Sequence, residues 1–224
     1  MTEKSSKIDP ITFIKNYYEQ SDIDQEIKKR RDCLEKKAKQ ISEKKTHNLE
    51  EYVRFLSKYI SENESFHKFA SDDRFPFNLS ELGAHLLLTA GLIKSIIQLL
   101  FHSKIKNSSK NNALIKVKRI LGIDFDVSLD DLYLIGRFTG LMHDITKPDL
   151  GKHYLKSAEL AEDILESLNV SQDWIKFISN GIKEHHKQHT SNLFSEVVQL
   201  SDWIATSDRI PFIKPHFMNS FLNK

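Results

Sequence analysis

Cysteine is nearly missing: Cys33 is the only one in 224 residues. A disulfide framework within the chain is excluded, and a reducing, cytoplasmic setting is the expectation. Glycine is scarce at 7 of 224 residues, about 3 per cent against a usual level of about 7. Proline contributes 5. Sandwiches and barrels need a turn signal every ~8–12 residues, so many-stranded β folds are excluded. Charge of one sign is also missing, since 33 Lys and Arg face 31 Asp and Glu for a net +2. That balance does not by itself announce a polyanionic partner. The opening MTEKSSKIDP has no apolar leader stretch. The longest apolar run, Leu86 to Phe101, is interrupted by Lys94, Ser95 and Gln98. It falls short of the ~20 residues of a bilayer span, so the expectation is a buried helix and no membrane partner.

What is present is a core-forming, helix-patterned chain. Hydrophobic residues make up 39%, with 14 Phe, 6 Tyr and 2 Trp to fill an interior. Residues 9–46 read as a charged helix, and the KKRR run at 28–31 reads as a solvated face balanced by Asp24, Glu26, Asp32 and Glu35. Helices are expected over 48–60 and 79–102, the latter capped by Ser80, with the stretch between them a connector. The segment from Ser103 to Arg119 holds Lys104, Lys106, Lys110, Lys116, Lys118 and Arg119 and no acid. Ser128 and Asp131 stand in capping-box spacing before a helix ending near Asp144. Helices over 153–168, from Ser171 onward, and through SNLFSEVVQLSDW complete an all-α reading. Residues 1–75 form a charged helical extension, and 76–224 the main domain.

The polar residues stranded in the apolar helices carry the chemistry. His85 sits in LGAHLLLTAGL, His143 and Asp144 in TGLMHDITK, His153 at the head of HYLKSAEL, His185 and His186 in NGIKEHHK, and Asp202 in VVQLSDWIA. An unpaired buried carboxylate costs several kcal/mol, so each needs a cation or a hydrogen-bonding partner. One such histidine is ordinary. Five His and two Asp together are best accounted for by a shared metal centre, since imidazole and carboxylate suit divalent transition metals.

The order H … HD … H … HH … D resembles the HD superfamily of metal-dependent phosphohydrolases, over about residues 79–209. HDITK is similar to the HD-x-x-K motif with Lys147 as its lysine, and Thr146 stands where glycine is common. HYLKSAE resembles the H-x-x-x-S-A element, and LSDWIATSDR the last motif, of the HD nucleases of type I CRISPR interference systems. The HD region of the type I-D large subunit is a close second. The resemblance implies an HD-domain helical bundle with an N-terminal helical extension. It implies that His85, His143, Asp144 and Asp202 hold one metal, and that Asp144 bridges to a second held by His153, His185 and His186. Lys147 would sit beside the phosphate, making Asp144 and Lys147 the catalytic residues. The cofactors implied are two divalent ions (Mn, Fe, Co or Ni, with Mg or Zn open). The activity implied is hydrolysis of phosphodiester bonds by a water activated between two metals. Its substrate would be single-stranded DNA, with RNA open, and its partners a CRISPR surveillance complex and a separate helicase subunit. No G-x-x-x-x-G-K-[ST] for nucleotide-driven unwinding occurs in the chain.

Two other functions stay open: a small-molecule HD phosphohydrolase acting on nucleotides, and a non-catalytic helical adaptor. The Lys104–Arg119 segment reads more readily as a solvated face than as a nucleic-acid path. Arg137 and Arg209 are structural as readily as phosphate-binding. His47, His67, His102, His189 and His216 read as surface residues. Trp203 reads as packing beside Asp202 sooner than stacking on a base, Tyr154 reads by default as core packing although its place beside His153 would let it face the cleft, and Cys33 has no role.

Overall fold

The computed structural model describes residues 20–44, 48–68, 81–106, 108–147 and 152–206. Among them the fold is all-α, with no β-sheet. The helices are α1 (Gln20–Ser42), α2 (Asn48–Glu62), α3 (Glu64–Lys68), α4 (Leu82–Ile105), α5 (Lys110–Leu121), α6 (Leu129–Met142), α7 (His153–Ser167), α8 (Gln172–Glu184) and α9 (Leu193–Ala205). Residues 9–19, Ser80, Arg209, His47 and His216 lie outside the described residues, as does the boundary expected near residue 75.

Local chemistry sets the helix ends. Ser128 accepts from the Asp131 backbone N–H while Asp131 accepts from the Ser128 N–H, completing the expected capping box at α6. Ser109 and Asn192 cap α5 and α9 with simple caps, their side chains accepting from the backbone N–H of Asn112 and Ser195. Gly122 ends α5 in the left-handed region, at φ 79°, and accepts the turn no side-chain-bearing residue takes easily. Two expectations need correction. The expected connector contains the short helix α3. And α4 starts at Leu82, after Glu81, which makes no side-chain cap.

One buried cluster joins Leu34 and Ala38 of α1, Tyr52 and Leu56 of α2, Leu86 and Ile93 of α4, Phe138 of α6, Ile164 of α7, Ile178 of α8 and Val197 of α9. The central pair is α4 against α6. A Cβ added at Gly140 would meet Ala90 Cα at 2.5 Å and Ala90 N at 2.7 Å, so glycine is what lets the two backbones approach. α4 is long and apolar enough to cross a membrane by length and composition alone. In the fold its inner face packs on α6, α9 and α5, while Leu88 and Leu99 on its outer face are 50% and 68% exposed.

Candidate metal centre

Five helix ends converge on one corner of the bundle. His85 lies in the first turn of α4, His143 and Asp144 just past α6, His153 at the first position of α7, His185 and His186 just past α8, and Asp202 in the last turn of α9. These are all of the seven ligand candidates in the sequence, and they form two groups that share Asp144. His85, His143, Asp144 and Asp202 make one, and Asp144, His153, His185 and His186 the other. Within each group the potential ligand atoms lie within 4.8 Å of one another, close enough to hold a metal ion.

Asp144 stands between the groups and turns one oxygen to each. Its Oδ2 is 3.4 Å from His143 Nε2 and 3.7 Å from His85 Nε2. Its Oδ1 is 3.2 Å from His153 Nε2 and 3.4 Å from His185 Nε2. Asp202 Oδ1 closes the first group at 3.2 Å from His85 Nε2 and 3.6 Å from His143 Nε2. Lys147 Nζ lies 2.6 Å from Asp144 Oδ2.

The imidazoles are turned for ligation. At two helix C-termini the same device recurs: His143 Nδ1 donates to Gly140 O at 2.8 Å, and His185 Nδ1 donates to Ile182 O at 2.6 Å. A carbonyl only accepts, so each Nδ1 holds the proton and each Nε2 presents its lone pair inward. The ring nitrogens then meet in close pairs, His85 Nε2 with His143 Nε2 and His153 Nε2 with His186 Nε2, both at 3.0 Å. Each pair needs a proton or a cation between its two nitrogens. Asp144 Oδ1 and Nε2 of His185 are buried without a hydrogen-bond partner among the described residues, while Asp144 Oδ2 faces the Lys147 ammonium. Buried polar groups are almost always satisfied. These two atoms belong to the group of Asp144, His153, His185 and His186, and the imidazole and carboxylate donors of both groups fit divalent metals.

Electrostatics agree. Burial would raise the Asp144 carboxyl, but Lys147 and His143 hold it well below the usual carboxylate range. Burial likewise works against Asp202, and His143 and His85 outweigh it. His85 is opposed by burial yet raised to about 9 by the carboxylates of Asp144 and Asp202. Burial dominates at His143 and lowers it. The centre therefore offers two negative carboxylates at neutral pH.

Comparison with protein-family models, curated proteins and solved structures finds no match to this chain. The centre must be read from its own chemistry.

The two groups differ in access. His85, His143 and Asp144 have 0–1% exposure and Asp202 2%, whereas His153 is half-buried and His186 is exposed. Four surrounding residues make contacts that the sequence alone did not specify. Tyr154, expected in helical core packing, sets its ring edge-on to His186 and His153, with centroids 5.6 and 6.0 Å away. Thr146 Oγ1 donates to His153 O at 2.9 Å, and its backbone N–H donates to Ser157 Oγ at 3.3 Å. That ties the HD turn to the start of α7 across a short connection, so a side chain does here what a glycine could not. Gln199 Nε2 donates to His185 O and Lys187 O, both at 2.8 Å, and fixes the HH turn. Arg30, expected on a solvated face, is 1% exposed and reaches the HD turn. Its neighbour Arg31 does form the expected surface pair with Glu35 at 2.6 Å. Arg137 donates to Ser57 Oγ, His67 pairs with Glu81 at 2.6 Å, and His102 and His189 are exposed. None of these joins the centre.

Proposed function

We propose that this chain is a metal-dependent phosphodiesterase of the HD type, with a nucleic-acid strand as substrate. One observation carries the reading: a single buried carboxylate, Asp144, faces two separate ligand groups with its two oxygens. A carboxylate so placed suits two adjacent divalent cations, and phosphoester hydrolysis is the chemistry that most often uses such a pair. His85, His143 and Asp202 would hold one ion, and His153, His185 and His186 the other. The ions would supply a lowered pKa for water and charge neutralisation at phosphate oxygens.

The chain's own residues do the rest. Asp144 and Asp202 hold negative charge in a buried pocket and fix the imidazoles around it. Lys147, 15% exposed in its side chain, stands at the rim and supplies positive charge to an incoming phosphate. The open side at His153 and His186 is where substrate enters. Lys106, Lys110, Lys116 and Arg119, exposed beside and along α5, would offer a strand further phosphate contacts. Single-stranded DNA cleavage within a CRISPR interference complex, fed by a separate helicase in the cytoplasm, is the specific form of this proposal. RNA is the alternative strand.

The full chain loaded with Mn2+, Co2+ or Ni2+ is expected to cut single-stranded DNA, and Asp144→Ala to abolish cutting. Intact DNA and RNA after incubation with metal-loaded, folded protein would overturn the reading.

A further inference from the structure

The guanidinium of Arg30 is buried between α1 and the turn that follows α6. Its Nη1 donates to Ile145 O at 2.7 Å and to Lys147 O at 2.9 Å, while Nη2 donates to Ser65 Oγ at 3.4 Å. Its charge lies 4.1 Å above the Phe66 ring centroid. In sequence it is more than a hundred residues from the turn it holds. On α1 it shares the inward stripe of Ile23, Leu34, Ala38 and Ile41, all fully or nearly fully buried.

The two carbonyls it binds bracket Thr146. They lie past a helix C-terminus, where carbonyls lack intrahelical partners and the dipole favours a cation. The turn they define carries Asp144, Thr146 and Lys147. Asp144 faces both ligand groups, Thr146 holds the His153 backbone, and Lys147 contacts Asp144. Arg30 therefore fixes the backbone from which three side chains of the centre project. Nη1 serves both carbonyls while Nη2 reaches Ser65 Oγ, so one planar group ties the turn to α3, which a single ammonium nitrogen does less well.

We propose that Arg30 is a positioning residue of the metal centre, through which helix α1 sets the placement of Asp144 and Lys147. The inference rests on the metal centre proposed above. The His153 side depends on the turn more heavily, through Asp144 and Thr146, than does the side built from α4 and α9.

The test uses the full chain and Co2+. The expected result for Arg30→Met is a loss of about 10-fold or more in affinity for the weaker of two bound ions, the range seen when an outer partner of a ligand is removed. Its visible cobalt spectrum should change, and Arg30→Lys should restore part of both. A folded Arg30→Met with unchanged stoichiometry, affinity and spectrum overturns the proposal. Hydrogen exchange on the unmutated chain supplies a second measurement should the variants misfold. Saturating metal should slow amide exchange in α1 around Arg30 together with the 143–147 turn. Protection of the turn alone, with α1 unchanged, also overturns it. If the unmutated chain binds no cobalt, the metal centre itself falls, whereas normal binding by every variant removes only the role of Arg30.

Discussion

Asp144 is the residue on which the two halves of the centre depend. Its loss should empty both ligand groups, while His85→Ala should empty one. Counting bound Mn2+ per chain checks this. Asp144→Asn is expected to retain no stoichiometric metal, and His85→Ala to retain about one ion if two load the parent chain. Equal retention by both variants would show that Asp144 is not shared. The ligand candidates were legible because each is polar where its helix is otherwise apolar, and an interior tolerates that only with compensation. Arg30 was not legible for the converse reason. In KKRR every neighbour is charged, and nothing local marks one of four cations as the inward one. Only the spacing from Ile23 to Leu34 and Ile41 does so, and it needs the helix phase to be known. Gln199 was hidden differently, since its partners lie in the turn past α8, remote in sequence.

At the scale of elements, the centre depends on how closely α4 and α6 approach. Gly140→Ala would force a methyl against the Ala90 backbone, which cannot swing away as a side chain can. The helices must part, at a cost of roughly 1–3 kcal/mol or somewhat more. Because His85 and His143 sit on these two helices, metal affinity should fall along with stability. Urea titration of the metal-free proteins measures the first and cobalt titration the second. Unchanged values in both would mean that the contact relaxes elsewhere. Helix identity was legible wherever capping chemistry was strong, as at Ser128 and Asp131. The start of α4 was legible only to within a few residues, because the cap position falls on Glu81, which makes no side-chain cap, and not on Ser80. The short helix α3 is one of the pieces that tertiary packing, not propensity, holds in place, with Phe66 fully buried.

At the scale of the molecule, the described residues surround the centre with a cage of helix ends. The all-α fold followed from scarce glycine and proline and from 3.6-residue patterning. How the helix ends would meet did not follow, because convergence over more than a hundred positions is set by packing angles that no single segment encodes. The N-terminal helix illustrates this: by composition it is an appendage, yet Leu34, Ala38 and Ile41 lie in the common core.

The unequal burial of the two ligand groups has a kinetic consequence. An ion among His85, His143, Asp144 and Asp202 would be walled in by side chains with 2% exposure or less, while one at His153 and His186 would border solvent. The two should leave on different clocks. Stopped-flow mixing of fully loaded protein with excess EDTA should show a fast release followed by a slow one gated by opening of the bundle, whereas a single phase would mean that both ions exchange through the same door.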